Sequence, residues 1–239
     1  MAQKVPFDHQ HALWGDVLRS RVRGGLVDYR GLKASPTQLQ DYLKALGAVR
    51  RGQFAAWSKT ERLAFWINAY NAFTLRLVVS HYPVGSIRDI GLLPRWAFLT
   101  PTVRLPGMRR VMNLLWLEHR ILRSRFSEPR IHAAINCASM SCPELAPEPY
   151  QANRLEEQLE GAMLRFVRDP ARNRLDRQGN VLYLSAIFDW FETDFPSPIS
   201  GFVASCMEAD DAAWIRTHHP AIKTLPYDWS LNAQDRLSA

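Results

Sequence analysis

The chain has 239 residues, of which 47% are hydrophobic, and a formal net charge of +7 at pH 7. This apolar content supports a sizeable core and excludes an intrinsically disordered chain. Basic residues are scattered among acidic ones without a nucleic-acid-binding motif, so the sequence predicts no nucleic-acid partner. No stretch is apolar over the length of a bilayer, so no integral membrane segment is predicted.

Three cysteines, Cys137, Cys142 and Cys206, allow at most one internal disulfide and leave the compartment open. The protein is expected in the cytoplasm, or in the periplasm or medium if a leader has been removed. No repeat or flexible linker interrupts the sequence, which predicts a single domain over residues 1–239. Within it, residues 1–58 are predicted to form a helical arm and residues 59–239 the core.

The most distinctive predicted element is a helix over residues 60–80, capped by Thr60. Its central part is apolar on nearly every face apart from Asn68, Asn71 and the hydroxyl of Tyr70. A helix of this kind lies inside a protein rather than on its surface. The pattern therefore predicts a buried central helix.

The other elements are shorter, and together they predict the α+β class with helices dominating. Further helices are predicted at 7–22, 37–46, 114–126, 155–167, 185–191 and 202–207, and strands at 131–135 and 181–184. Trp190 and Asp194, which follow the capping Ser185, are interpreted as parts of a packing helix.

Residues 130–143 concentrate chemically active side chains: one histidine, one asparagine, two thiols and two hydroxyls. The apolar run 131–135 is bounded by prolines and predicts a buried strand, with Cys137 at its end. Loops that follow strands often carry functional groups. A reactive thiolate also needs a base or a positive environment, which His132 or His119 would provide.

Glu118 falls in the middle of the apolar face of the helix over 114–126, with His119 at the margin and Arg123 one turn further. A carboxyl group in a core needs a partner or a proton. Candidate partners are His119, His132, the asparagine-bearing helix and an arginine. Two interpretations stay open: a structural ion pair, or an acid/base or orienting group.

Asn68 and Asn71 share one stripe of the central helix, since they are three residues apart. Once buried, their amides require hydrogen-bond partners. Either they hold loops to the helix through backbone hydrogen bonds, or one of them acts on a substrate beside the thiol loop. The predicted ligand-binding set is Asn68, Asn71, Arg123, Asn136, Ser139 and Cys142.

Zinc is a competing explanation, because cysteine, histidine and glutamate all bind it. The spacing of Cys137 and Cys142 is at the long limit of ordinary ligand pairs, and no second close pair exists. No metal and no cofactor are therefore predicted.

Several motifs together resemble the family called domain of unknown function 547. They run through almost the whole chain: Phe7-Asp-His9, Val27-Asp-Tyr29, Phe65-Trp-Ile-Asn-Ala-Tyr-Asn-Ala72, Ser86-Ile-Arg-Asp-Ile90, Leu117-Glu-His119, Arg130-Ile-His132, Asn136-Cys-Ala-Ser139, Ser141-Cys-Pro143, Leu184-Ser185, Ile187-Phe-Asp-Trp190 and Tyr227-Asp-Trp229. The recurrent polar positions of the family fall on Asn68, Asn71, Glu118, His119, Arg123, His132, Cys137, Ser139 and Cys142.

The resemblance implies little about activity. Bacterial members of the family often look like exported proteins, and some eukaryotic members join the domain to glutaredoxin-like or signalling domains, which hints at thiol or glutathione chemistry. The chain is also distantly similar to papain- and transglutaminase-like folds, which implies a small antiparallel sheet packed on the buried central helix. It departs from their order, because no cysteine begins the central helix and the thiols come later.

The sequence predicts a thiol-dependent enzyme for acyl transfer or hydrolysis, acting on a peptide-like or thiol-containing small molecule. Cys137 would be the nucleophile, His119 or His132 its activator, and Glu118 the group that orients the imidazole. Two alternatives stay open. One is a non-catalytic module that binds a glutathione-like or peptide ligand, and the other is a purely structural polar network.

Overall fold

The structure, a computed structural model, describes residues 6–91, 96–99 and 113–235. The helices in chain order are α1 (Ala12–Arg21), α2 (Tyr29–Ala34), α3 (Thr37–Ala48), α4 (Arg51–Ala56), α5 (Lys59–His81), α6 (Trp96–Leu99), α7 (Leu114–Trp116), α8 (Ser124–Phe126), α9 (Ile131–Ala134), α10 (Leu155–Arg168), α11 (Ala186–Trp190), α12 (Ile199–Cys206) and α13 (Ala209–His218). The strands are β1 (Val22–Arg23), β2 (Leu26–Val27), β3 (Arg174–Asp176), β4 (Val181–Leu184) and β5 (Ala221–Thr224). Helices dominate the described residues, which confirms the predicted α+β class.

Helix α5 is the predicted central helix, and it is buried along most of its length. The prediction that Thr60 caps it was wrong, because the cap is Ser58. The Ser58 hydroxyl accepts the Glu61 N–H at 3.1 Å, and the Glu61 carboxylate accepts the Ser58 N–H at 2.7 Å. This reciprocal pair satisfies two backbone donors that the first turn would otherwise leave open.

Two hydrophobic clusters form the interior. The first surrounds α5 and includes Trp14, Leu32 and Tyr42 from the N-terminal helices. The second joins α10, α12 and α13 to β4, with Phe166 and Leu182 among its buried members. The division into an arm and a core within one domain stays a prediction, although α1 to α3 contribute directly to the cluster around α5.

The three-stranded sheet differs in detail from the one that the distant likeness implies. Strands β3 and β4 are antiparallel, with Leu175 opposite Leu182, whereas β4 and β5 are parallel, with Leu182 opposite Ile222. Two buried side chains of β4, Leu182 and Leu184, pack in the second cluster, while the apolar residues of α5 lie in the first. The sheet therefore packs on α10 and its neighbours.

The strand predicted at 131–135 was wrong, because Ile131–Ala134 is the short helix α9. A series of turn hydrogen bonds begins at Glu128, whose carbonyl accepts the Ile131 N–H at 3.2 Å, and continues at Pro129, whose carbonyl accepts the His132 N–H at 3.2 Å. Ile135 then becomes extended, with φ −99° and ψ 137°. A short apolar run has no period that separates a strand from a buried helical turn, and two alanines favour the helix.

The other elements agree better with the predictions. Asn113 caps the predicted helix over 114–126, which is continuous through α7, a π-helical segment (Leu117–Arg123) and α8. The predicted strand Val181–Leu184 is confirmed as β4. No helix in the described ranges has the length and apolar character needed to cross a membrane.

Candidate functional site

A cavity of about 360 Å³ opens between α5, the π-helical segment, the thiol loop (residues 137–142) and the C-terminal segment. It is lined by Tyr70, Arg88, Phe98, Leu115, Glu118, His119, His132, Ile135, Cys137, Cys142, Ile187, Trp190, Phe191, Tyr227 and Trp229. All four side chains predicted to be catalytic therefore border one space.

Asn71 holds the segment before the thiol loop against α5. Its amide nitrogen donates to the Ala134 carbonyl at 3.0 Å, and its amide oxygen accepts the Asn136 N–H at 2.8 Å. The side chain is 1% exposed, so both bonds lie in a dry environment where unmade bonds are costly. Cys137 follows directly and takes its position from this anchor.

Asn68 makes the same pair of bonds to a different loop. Its amide donates to the Tyr150 carbonyl at 2.7 Å and accepts the Tyr150 N–H at 3.0 Å. Neither Asn68 nor Asn71 lines the cavity. Of the two interpretations offered by the sequence, loop anchoring describes the contacts of both residues.

Asn136 shapes the turn that presents the thiol. Its amide donates to the Pro143 carbonyl at 2.7 Å, and its oxygen accepts the Ala138 N–H at 2.8 Å. Ala138 has φ +65°, a conformation that non-glycine residues rarely adopt. The side chain thus stabilises the reversal of the chain after Cys137 and does not line the cavity.

The rest of the thiol loop is fixed from outside. The Met140 N–H donates to the Ser230 carbonyl at 2.9 Å. The guanidinium of Arg172 donates to the carbonyls of Cys142 and Met140 at 2.9 and 3.0 Å. These bonds leave the loop backbone little freedom to move.

The Cys137 thiol is surrounded by hydrogen-bonding groups. Its sulfur lies 3.0 Å from the Ser139 hydroxyl and 3.3 Å from the Tyr227 hydroxyl. A hydrogen bond from the Cys142 thiol, together with those from Ser139 and Tyr227, outweighs the effect of burial and lowers the pKa of Cys137 to about 7. The hydroxyl of Ser139 thus supports the thiolate.

Glu118 is buried, as the sequence predicts, and its partner comes from the central helix. The Tyr70 hydroxyl donates to Glu118 Oε2 at 3.2 Å. Burial, which outweighs the hydrogen bond from Tyr70 and is reinforced by the negative charge of a Cys137 thiolate, raises the pKa of Glu118 to about 7. The carboxyl and the thiol therefore titrate in the same pH range and influence each other.

The group that orients an imidazole is Asp194, not Glu118. Asp194 Oδ2 lies 2.7 Å from His132 Nε2 and 2.5 Å from Arg123 Nε, and Oδ1 lies 3.0 Å from Arg123 Nη2. Burial raises the pKa of Asp194, but the bonds from Arg123 and His132 outweigh it and hold the pKa below its usual value. Burial also lowers the pKa of His132, which favours a neutral ring at pH 7.

Both histidines that were predicted to activate the thiol lie in the cluster around Asp194 and Arg123. His119 Nδ1 lies 2.5 Å from Arg123 Nη1, and the His132 ring stacks on Phe191 with centroids 4.3 Å apart. Within the described residues, neither imidazole is among the hydrogen-bond partners of the Cys137 sulfur. The expected hydrogen bond between an imidazole and the thiol is therefore absent from the described residues. Arg123 contacts His119 directly and is linked to His132 through Asp194.

An aromatic wall of Trp190, Tyr227 and Trp229 closes one side of the cavity. Trp190 stacks on Trp229 with ring centroids 5.6 Å apart, and Tyr227 packs 4.5 Å from Trp229. Arg88 lies over the Trp229 ring at 5.2 Å, which brings a positive charge to the rim. A planar group of a ligand could stack on these aromatic faces, and an anionic group could pair with Arg88.

Sequence reasoning missed Asp194 and Tyr227 as members of the site. Asp194 meets His132 across 62 positions of the chain, and Tyr227 meets Cys137 across 90. The spacing of residues within one element does not predict contacts between positions so far apart in the chain. The signal that was present is the recurrence of the Ile187–Trp190 and Tyr227–Trp229 motifs in the family resemblance.

A family model described as "Protein of unknown function, DUF547" matches residues 54–167. The match confirms the family resemblance over residues 54–167. They hold every site residue predicted from the sequence, whereas Asp194 and the aromatic wall lie beyond the match. No curated protein and no solved structure matches the chain, so the distant likeness to papain- and transglutaminase-like folds gains no support.

No group of three or more His, Cys, Asp or Glu side chains that could hold a metal ion occurs among the described residues.

Replacing Asn71 with Ala should release the segment that carries Cys137. We expect a loss of about 2–3 kcal/mol in the free energy of unfolding, since two buried backbone groups lose their partners. Hydrogen exchange should show the Asn136 amide losing protection. Asn68→Ala is the matched control: it should destabilise similarly but deprotect Tyr150 and leave Asn136 protected. An Asn136 amide that stays protected in Asn71→Ala would contradict the anchoring role.

Replacing Glu118 with Gln should change how stability depends on pH. The folded protein binds the Glu118 proton more tightly than the unfolded chain does, because burial raises the pKa from 4.5 to about 7. Stability from this group is therefore greatest below pH 4.5 and falls as the pH rises through 7, by about 3 kcal/mol in total.

Urea unfolding across this range should show Glu118→Gln gaining stability relative to the native protein as the pH rises. Glu61→Gln should instead show a difference that stays flat above pH 4.5 and changes with the opposite slope below it, because hydrogen bonds from the Ser58 backbone and hydroxyl lower the pKa of Glu61 from 4.5. A Glu118→Gln difference that does not vary with pH would show that the carboxyl ionises normally.

Proposed function

We propose that this protein is a thiol-dependent enzyme that uses Cys137 as a nucleophile. The reaction class is acyl transfer or hydrolysis on a peptide-like or thiol-containing small molecule. The observation that carries the proposal is one cavity that holds a thiol with its pKa lowered to about 7 and a buried carboxyl with its pKa raised to about 7.

A thiolate is the reactive form of cysteine, and hydrogen-bond donors stabilise it. Cys142, Ser139 and Tyr227 supply those donors around Cys137, so the thiol ionises near neutral pH without an imidazole in contact. This arrangement replaces the cysteine–histidine pair expected from the sequence. His132 and His119 then serve as part of the cavity wall around Asp194.

Glu118 fits the role of proton carrier, since a catalytic group works best when its pKa lies near the operating pH. Cys137 would attack a carbonyl carbon as thiolate, and protonated Glu118 would give its proton to the leaving group as a thioester forms. The resulting Glu118 carboxylate would then take a proton from water as the water attacks the thioester. The products are the protonated leaving group and the free acid, and the cycle restores the Cys137 thiolate and protonated Glu118.

The walls of the cavity favour a substrate with a planar unit and a negative charge. Trp190, Tyr227 and Trp229 offer aromatic faces on which a peptide group can lie. Arg88 carries the positive charge at the rim. A short peptide with a free carboxylate, including a glutathione-like one, combines both features.

The test is formation of an acyl-enzyme with p-nitrophenyl acetate, followed by intact-mass spectrometry at pH 7. We expect one acetyl group on Cys137, none in Cys137→Ser, and no change in Cys206→Ser. Glu118→Gln should accumulate the acetylated protein, because deacylation without the carboxylate slows by about a hundredfold. Failure of Cys137 to acylate faster than the buried Cys206 would remove the nucleophile role.

A non-catalytic binding module is the second candidate, and the aromatic wall favours it because such a surface binds a ligand without any reaction. Under this alternative, reduced glutathione or a short peptide would raise the melting temperature of Cys137→Ser as much as that of the native protein. Acylation of Cys137 with turnover would set this candidate aside.

A further inference from the structure

Two cysteines contact each other inside the thiol loop. The Cys137 N–H donates to Cys142 Sγ at 2.9 Å. The Cys142 N–H closes the turn on the Ser139 carbonyl at 3.1 Å. Both cysteines are free thiols. The fold therefore holds a dithiol in contact, in a loop whose backbone is fixed at both ends.

The two thiols have unequal environments. Both cysteines line the cavity, but Cys137 is half-buried whereas Cys142 is only 4% exposed. Hydrogen bonds lower the pKa of Cys137, while burial raises the pKa of Cys142. An accessible, easily ionised thiol above a protected one is the arrangement that thiol–disulfide exchange requires.

We propose that Cys137 and Cys142 are a redox pair that reduces small-molecule disulfides and closes to a reversible intramolecular disulfide. Cys137 is the attacking thiol and Cys142 the resolving thiol. The substrate class is the disulfide of a low-molecular-weight thiol, for which the cavity provides the entrance. This activity does not depend on acyl chemistry, although both reactions use the same sulfur atom.

The reaction balances in two exchanges. The Cys137 thiolate attacks one sulfur of the disulfide R–S–S–R, and the first RS⁻ leaves and takes a proton from water. Cys142 gives up its proton to solvent and attacks the Cys137 sulfur, and the second RS⁻ leaves and is protonated in turn. Two protein thiols are oxidised to one disulfide, and the substrate is reduced to two thiols. A small dithiol such as dithiothreitol reverses the change.

The loop already holds the Cys142 sulfur beside Cys137. A disulfide brings two sulfurs to about 2.05 Å, and Cys142 Sγ lies 2.9 Å from the Cys137 backbone nitrogen. The loop backbone stays bound by Ser230 and Arg172 while the side chains rotate. The closed form removes the nucleophile of the proposed enzyme, so oxidation also inactivates it until a thiol reduces the bond.

The test uses oxidised glutathione as the disulfide and intact-mass spectrometry after acid quenching, with every protein carrying Cys206→Ser. The parent should lose two hydrogens and carry no lasting adduct. Adding Cys142→Ser should trap one glutathione on Cys137, and adding Cys137→Ser should abolish both products. At pH 7 the parent, in which Cys142 is present, should react with oxidised glutathione roughly five- to tenfold faster than an ordinary cysteine does.

A lasting glutathione adduct on the parent protein would show that Cys142 does not resolve, and would overturn the proposal. The proposal would also be overturned if oxidised glutathione formed the Cys137–Cys142 disulfide no faster in the folded protein than in the unfolded protein. If Cys142→Ser does not fold, Cys142→Ala serves, since it replaces a buried thiol with a smaller apolar group. Acylation of Cys137 without disulfide formation overturns this inference alone, and disulfide formation without acylation overturns the proposed enzyme alone.

Discussion

One side-chain amide fixes the thiol loop to the inside of the protein. Asn71 donates to the Ala134 carbonyl and accepts the Asn136 N–H, as a neighbouring strand would. Because α5 is buried along most of its length, it is a rigid support for Asn136 and for Cys137, which follows it. The position of Cys137, and with it the hydrogen bonds that stabilise its thiolate, depends on this attachment.

The cavity divides into two electrostatic halves. In one, Cys137 and Glu118 ionise in the same pH range and share the negative charge between them. In the other, Asp194 accepts hydrogen bonds from a neutral His132 and a charged Arg123. The histidines thus belong to the half around Asp194, and the pKa of Cys137 is lowered to about 7 by hydrogen bonds from Cys142, Ser139 and Tyr227. Cys142 therefore has two roles, as a donor to the thiolate and as the proposed resolving thiol.

Local patterns predicted much of this architecture. The apolar residues on nearly every face around Asn71 predicted the buried helix. The position of Glu118 in the middle of an apolar helix face predicted its burial. Both predictions depend on a period within one element. The run 131–135 was misassigned because five apolar residues fit a strand or a helical turn equally well. Asp194 and Tyr227 could not be placed in the site from spacing, since each reaches it across more than sixty residues and through loops of unknown path.

The ionisation of Cys137 is the property on which both proposed activities rest. The direct measurement is the rate of iodoacetamide alkylation of Cys137 against pH, in protein carrying Cys206→Ser, with the modified residue identified by peptide mapping. The rate should reach half its maximum near pH 7, because Cys142, Ser139 and Tyr227 lower the pKa to about 7. A rate that rises only near the ordinary thiol range, at about pH 8.5 or above, would contradict the account.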